Sequence, residues 1–353
     1  MRTGAKTPKV FVSRPIPEAA ISALRRAGLA VAVNPSDRVL SPAELARFCR
    51  EKDGLLALLT DRIDRRFLEA VPTLRGIALM AVGHDNADLA AATARGIPVS
   101  NTPGVLTDAV ADLAWALLLA VVRRLPEAER FLRRGRFRSW GPLLFLGGDL
   151  KGKTLGIVGA GRIGAAVGRR AGGFGLKVIY ADRRPNPALE KETGARRVSL
   201  PALLAAADCV TLHVPLTSGT RHLIGEREIR RMKRTAYLVN TSRGPVLDEA
   251  ALARALREGR IAGAGLDVFE NEPRVHPALR RLPNAVLVPH IGSATVGTRT
   301  GMALTAAENL IAMMRGERAP NCINAQVYNK SRLREVTQGK GYAGGRLRRG
   351  KVT

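Results

Sequence analysis

The sequence predicts an α/β protein made of two doubly wound parallel-sheet domains, and two observations lead there. From Lys9 to Val99 short β-prone runs alternate with helical stretches, and from Thr154 to Val288 a second alternation begins. The second series opens with a glycine-rich turn of G-x-G-x-x-G spacing between a strand and a helix. Alternating strands and helices pair in parallel with helices on both faces, because each crossover must run back along the sheet. A chain of 353 residues, 46% of them hydrophobic, is long enough for two such domains, each with its own core.

In the first series the strand-like runs are Lys9–Val12, Leu29–Val33, Gly54–Leu59 and Leu74–Ala81. The helices between them are expected to begin near Pro17, Pro42, Asp64 and Asp88. Proline fits the first helical turn because its missing N–H has no partner there, and aspartate can accept an N–H that the turn leaves open. After Pro103-Gly104 a long apolar helix is expected over Thr107–Leu125, placed to cross between domains. Its apolar run Ala109–Val122 is interrupted by Asp112 and is shorter than the ~20 residues that span a bilayer.

The second series has strand-like runs at Thr154–Val158, Val178–Ala181, Cys209–Val214, Ala236–Asn240, Gly263–Val268 and Ala285–Val288. A helical stretch over Thr295–Arg315 follows and is expected to return to the first domain, making that domain discontinuous. The expected boundaries are 1–101, 102–293 and 294–326, with a basic, Gly-rich tail over 327–353 that lacks apolar period and is expected to be disordered.

The stretch TLGIVGAGRIGAAVGRRAGGFGLKVIYAD, ending at Asp182, reads strand, glycine turn, helix, strand and acid. Gly159 permits the tight turn, Gly161 lets the backbone approach a pyrophosphate, and Gly164 lets helix and strand pack closely. Arg162 and Ile163 open the helix expected over Arg162–Phe174, whose N-terminal N–H groups favour an anion. Asp182 stands about 20 residues beyond the glycines, where a carboxylate bonds ribose hydroxyls. Arg183 and Arg184 follow at once, and arginine is the residue that accommodates a 2′-phosphate. The acid favours NAD; the arginines leave NADP open.

Fifty-seven Lys and Arg against thirty Asp and Glu give a net charge of +27. No zinc spacing or aromatic RNA-binding strand accompanies that charge, and aromatics are only 4% of residues. The basic residues are scattered over helix faces, as at Arg25/Arg26, Arg123/Arg124 and Arg230/Arg231. No nucleic-acid partner is therefore expected; a solvated surface that attracts anionic small molecules is. Three widely spaced cysteines, Cys49, Cys209 and Cys322, match no metal spacing and suit a reducing cytoplasm. The opening MRTGAKTPKVFVSRP lacks a signal-peptide apolar core, so no membrane attachment is expected.

A nicotinamide cofactor exchanges a hydride, so its partner site must bind a carbonyl compound and move a proton. Arg243, Glu272 and His290 each lie just past an apolar strand of the second series, where doubly wound folds place their ligand crevice. The planar arginine fork suits a 2-oxo acid. A Glu beside a His steadies the protonated ring and makes it a proton donor. Position alone selects His290 over His84, His213, His222 and His276, and each of the three also reads as an ordinary loop residue.

Seven segments, in order, carry a resemblance: LLALLTDRID, AVGHDNADLAAATARGIPVSNTPGVLTDAVADLAWALLL, VGAGRIG, HVPLTSGTRHLIG, NTSRGPVLDEAAL, GAGLDVFENEP and PHIGSAT. Over nearly all of the chain up to about Asn324 the sequence resembles the D-isomer-specific 2-hydroxyacid dehydrogenases, most of all their glyoxylate/hydroxypyruvate reductases. The resemblance implies a flavodoxin-like substrate domain, a Rossmann nucleotide-binding domain and a cleft between them. It implies that Arg243 binds the 2-oxo acid, His290 is the general acid and Glu272 holds it. It implies that Val82 and Gly83 offer backbone N–H groups to the substrate carboxylate. Cofactor contacts are implied at Thr107, Val214, Pro215, Thr241, Asp267 and Gly292, with Asp267 on the nicotinamide carboxamide. Trp140 matches a tryptophan that shapes the partner subunit's pocket in a homodimer. His84 departs from the aromatic or aliphatic residue of many relatives. Two further readings stay open at this point: a phosphoglycerate dehydrogenase, whose substrate would suit the positive charge, and a nucleotide-sensing corepressor-like protein.

Overall fold

The computed structural model describes residues 7–329, in two compact units. From residue 330 onward the expected basic tail lies outside the described residues. The first unit comprises the chain up to Pro103 and again from Thr300; the second is Gly104–Arg299.

In the first unit β1 (Lys9–Val12), α1 (Glu18–Arg26), β2 (Ala30–Val33), α2 (Pro42–Cys49), β3 (Gly54–Ala57), α3 (Arg65–Ala70), β4 (Gly76–Leu79), α4 (Leu89–Ala94) and β5 (Val99–Ser100) alternate. The strands form one sheet in the order β2-β1-β3-β4-β5, parallel throughout. That is the flavodoxin-like order. Ser41 closes a capping box with Glu44 at the start of α2, and Asp64 and Asp88 cap α3 and α4 by accepting the N–H groups of Phe67 and Ala91. Side chains alternate across the strands, so Leu55 and Ile77 enter a core with Phe11, Leu45 and Phe67, and Gly54 and Gly76 face the other way.

The second unit begins with α5 (Thr107–Val122) and α6 (Leu125–Arg133). The expected single helix over Thr107–Leu125 is broken: Arg124 takes a left-handed conformation, φ 54°, and a new helix starts beyond it. Pro126 is the reason: it has no N–H for the Val122 carbonyl and its ring would clash there, so α5 cannot run on through it, whereas the first turn of α6 accommodates it. There follow β6 (Thr154–Val158), α7 (Arg162–Arg170), β7 (Lys177–Ala181), α8 (Pro187–Thr193), β8 (Arg196–Arg197), α9 (Leu200–Ala206), β9 (Cys209–Leu212), α10 (Glu226–Ile229), β10 (Tyr237–Asn240), α11 (Glu249–Arg257), β11 (Gly263–Leu266) and β12 (Ala285–Leu287). Helix α7 ends four residues before Phe174, where Gly172 and Gly173 tighten the chain into a 3-10 turn. The sheet order β12-β11-β10-β9-β6-β7-β8 reverses at β6, next to the glycine turn. This is the dinucleotide-binding order, and ligands of such sheets lie at the reversal.

Two apolar cores cover the two faces of that sheet. One joins Leu203 and Leu204 of α9 and Leu252 of α11 to Val210 and Leu238; the other joins Trp115, Leu117 and Leu118 of α5 to Ile157 and Tyr180. Gly263 and Gly265 of β11 let α5 lie close, because a Cβ there would meet Val121 at 2.6 Å and Leu117 at 2.9 Å.

Helix α12 (Val296–Met314) starts in the second unit and enters the first at Thr300. Its Met313 and Met314 fill the space above Gly76 and Gly54, where a Cβ would come within 2.6 Å of Met313 and 3.1 Å of Met314. Beyond it, buried Asn324 accepts the Val99 N–H at 2.8 Å and donates to the Ile97 carbonyl at 2.9 Å, tying the C-terminal segment to β5. Val327, within the range that composition assigns to the tail, is 4% exposed, and the Tyr328 hydroxyl accepts the Ala319 N–H.

Candidate active site

The glycine turn after β6 has the shape its residues dictate. Gly159 sits at φ 93°, and a Cβ there would lie 2.8 Å from the His213 backbone. A Cβ on Gly164 would lie 2.0 Å from the Gly159 carbonyl oxygen, so only glycine lets α7 pack there. Gly161, the N-cap of α7, faces open space. Beside it a cavity of about 880 Å³ is lined by Gly159, Gly161, Asp182, Arg183, Val214 and Pro215, among others. Arg162 is exposed and Ile163 half-buried at the start of α7; Arg184 is exposed.

Two side chains hold the turn through Ala160. The Asp182 carboxylate accepts the Ala160 N–H at 2.8 Å, and the Asn186 amide donates to the Ala160 carbonyl at 2.7 Å. The other Asp182 oxygen accepts the Arg184 N–H at 3.2 Å. Arg197 donates to the carbonyls of Asp182 and Arg183 at 3.0 and 2.8 Å and lines the same cavity. His213, also on the cavity wall, bonds the Thr211 hydroxyl through Nε2 at 2.8 Å, while its Nδ1 is buried without a partner among the described residues. Burial pushes this ring down to about 3, so it is neutral.

Arg243, Glu272 and His290 follow β10, β11 and β12 at their C-terminal ends and are brought to one place. His290 Nδ1 lies 2.9 Å from Glu272 Oε2, and the other Glu272 oxygen accepts the Phe269 N–H at 3.0 Å. Burial raises the Glu272 carboxyl, but the hydrogen bond and charge of His290, the Phe269 N–H and the charge of Arg243 outweigh it and hold the group below its usual value. Arg243 is extended, φ −141°, with its guanidinium on the Ser242 carbonyl at 2.9 Å and its own carbonyl accepting from Asn240 at 3.0 Å. Gly244 follows, jammed against Phe269. His290 is left-handed at φ 54°, a conformation that few non-glycine residues hold without support.

The support is Asp267, 1% exposed. Its carboxylate accepts the Ile291 N–H at 2.6 Å and the Gly292 N–H at 2.8 Å, while its carbonyl accepts the His290 N–H at 2.8 Å. Burial raises this carboxyl despite those amides and the His290 charge. Val110 of α5 packs within 3.3 Å of where a Gly292 Cβ would stand, and Thr107 lies one turn earlier on the same helix. Thr241 is buried with its hydroxyl unpartnered among the described residues, a polar atom that a bound carboxamide or ribose can satisfy.

Val82 and Gly83 follow β4 in the first unit, where Asn101 donates to the Val82 carbonyl at 2.8 Å. His84 beside them keeps a buried Nδ1 without a partner among the described residues. Trp140 is 79% exposed in the segment after α6. Sequence reasoning missed Asn186, Arg197 and Glu249. The Asn-Pro pair at Asn186 signals its helix cap but not its reach to Ala160. Arg197 sits in a strand of two residues with no apolar period to reveal it. Among the described residues no His, Cys, Asp and Glu group can hold a metal, and no helix is long and apolar enough to cross a membrane.

Comparison with known proteins identifies the family. Residues 115–292 match the family model for the D-isomer specific 2-hydroxyacid dehydrogenase, NAD binding domain. A glyoxylate reductase of Thermococcus litoralis is 52% identical over 328 residues, covering 92% of this chain and 99% of that one. The crystal structure of the TT0316 protein of Thermus thermophilus aligns with a TM-score of 0.85 at 46% identity, covering 89% of this chain and 99% of that one. An NADPH-dependent glyoxylate/hydroxypyruvate reductase of Sinorhizobium meliloti, solved with NADP and malonate, aligns with a TM-score of 0.81 at 35% identity over 91% and 98% of the two chains. Identity of this level over nearly the whole length, on the same sheet order, leaves one conclusion: the chain belongs to the D-isomer-specific 2-hydroxyacid dehydrogenase family.

Proposed function

We propose that this protein reduces short 2-oxo acids, glyoxylate and hydroxypyruvate first among them, to the corresponding D-2-hydroxy acids with NADH or NADPH. The observation that carries the proposal is the His290–Glu272 pair at 2.9 Å with Arg243 close enough to act on Glu272, in the same unit as the glycine turn and its cavity. The cofactor, when bound, supplies the hydride that the substrate carbonyl carbon accepts.

The protein's own groups do the rest. Arg243 holds the substrate carboxylate with its planar fork and draws charge from the carbonyl oxygen. Glu272 fixes the ring of His290 through Nδ1 and balances its charge, so that Nε2–H is the proton delivered to the developing alkoxide. Asp267 keeps His290 in its strained turn and offers its carboxylate to an amide, and the Thr241 hydroxyl is a second partner for the same group. Gly159, Gly161 and Gly164 shape the pyrophosphate cradle. Asp182 favours the free ribose of NADH, while Arg183 on the cavity wall, with Arg184 next to it, tolerates the 2′-phosphate of NADPH.

The same reading includes a homodimer. Leu132, Phe137, Trp140, Leu143 and Leu146 are 51–79% exposed on one stretch of chain, more apolar surface than a monomer ordinarily leaves in water. Sedimentation at micromolar concentration should give twice the monomer mass; a monomer would remove Trp140 from any role in a partner's pocket. Three free cysteines fit a cytoplasmic location.

Oxidation of NADH and of NADPH by glyoxylate and by hydroxypyruvate, followed by the loss of reduced-nicotinamide absorbance, tests the reaction. Turnover with either oxo acid supports the proposal. Tight cofactor binding with no turnover on either would overturn it.

A further inference from the structure

We infer that Glu249, a residue outside the reacting group, is a positioning residue that sets the catalytic pair by holding both ends of the loop carrying Glu272. The inference rests on the reading of Glu272 and His290 given above.

Glu249 opens α11 and is 4% exposed, an unusual depth for a carboxylate with no Lys or Arg bridged to it among the described residues. Its two oxygens are spent on one loop. Oε1 accepts the N–H of Glu270 in a short hydrogen bond, and Oε2 accepts the N–H of His276 at 3.3 Å. Between those points the chain closes on itself, with the Arg274 N–H on the Asn271 carbonyl at 2.8 Å and a cis peptide before Pro273. Glu272 lies inside this closed loop and reaches His290. The clasp is reciprocal, because Glu270 accepts the Glu249 N–H at 3.4 Å and also pairs with His222.

A helix-capping role explains little of this. Asp248 already caps α11 through the Ala251 N–H, and an acid in a first helical turn is normally left in water. Burial pushes the Glu249 carboxyl up, the two loop N–H groups pull it down, and burial wins. A residue held at that expense is explained by what its two bonds hold in place. Neither hydrogen bond of the Glu249 carboxylate reaches the cavity lined by Gly159, Asp182 and His213, so its influence runs through the loop that carries Glu272.

The test is a double-mutant cycle on the full-length protein. Glu249→Gln keeps one acceptor but turns an NH₂ toward the second N–H, and should lower kcat about 10- to 100-fold, as a displacement near 1 Å does. The KM for the oxo acid and the cofactor Kd should stay within about twofold, since the groups that hold them are not on this loop. In a Glu272→Gln background the same change should lower kcat by no more than about twofold, because the residue it positions is gone. Equal losses in both backgrounds, or wild-type kcat for Glu249→Gln, overturn the inference. Wild-type kcat for Glu272→Gln overturns the underlying reading and the inference with it. Hydrogen exchange on the wild-type protein needs no variant to fold: the Glu270 and His276 amides should be protected together, and free exchange of either overturns the clasp.

Discussion

A methyl group on Gly244 is a severe test of how Arg243 is held. The Cβ of Gly244→Ala would stand 1.8 Å from the Phe269 carbonyl carbon, 1.9 Å from its oxygen and 2.4 Å from the Glu270 nitrogen. Non-bonded heavy atoms settle near 3.5 Å, so a gap of roughly 1.7 Å must open. All three obstacles are backbone atoms, and no rotamer change relieves them. Either the Gly244 turn moves, taking Arg243 with it, or Phe269 and Glu270 move, taking Glu272. In both cases the arginine and the carboxylate separate by more than about 1 Å, which costs about 10²-fold in rate. Overpacking of this kind also destabilises by roughly 1–3 kcal/mol, a fall in Tm of several degrees. The assay is kcat and KM for glyoxylate, with cofactor Kd by fluorescence and Tm by calorimetry. The expected result is a loss of about 10² in kcat with cofactor affinity kept, because Gly159, Asp182 and His213 are untouched. Wild-type kcat and Tm together would refute the packing argument.

Arg243→Lys should lower kcat and raise KM together, since a point charge cannot reproduce the bidentate fork; equal activity would mean that the carboxylate is held by a single contact. Asp182→Ala should raise the NADPH-to-NADH ratio of kcat/KM by about tenfold or more, as the charge that repels the 2′-phosphate is removed; an unchanged ratio would mean that Arg183 and Arg184 do not reach that position. Protein stability should fall on acidification because of His213. Its folded value of about 3 lies below the ~6.5 of an unfolded histidine, so the unfolded chain takes the proton first. That contribution is complete above ~6.5 and declines toward pH 3 by on the order of 1 kcal/mol per pH unit. Urea unfolding at a series of pH values checks this, and a His213→Gln variant with the same slope would contradict it.

How far the sequence reaches is clear from particular residues. The strands are legible because buried parallel strands are short apolar runs, and strand ends are where this architecture places chemistry; that is why Arg243, Glu272 and His290 stand out as candidates. Glycine spacing marks the cofactor turn for the same physical reason that a Cβ on Gly164 has no room. The break at Arg124 is readable from Pro126, yet the apolar period running into Leu125 outweighs it. Asn186, Arg197 and Glu249 are not legible. Each acts through a backbone atom far away in sequence, and neither composition nor period records which carbonyl or N–H a side chain meets. Glu249 in particular reads as an acid that complements a helix dipole, and only the fold shows it turned inward onto two amides of another loop.

The most direct test of the central claim is single-turnover reduction of glyoxylate by the preformed cofactor complex of His290→Ala, beside the wild-type protein. A positioned acid contributes on the order of 10²-fold or more, so the variant should transfer hydride at least that much more slowly while binding cofactor with unchanged affinity. A wild-type rate in the variant would show that His290 does not deliver the proton and that the reaction is run by other groups.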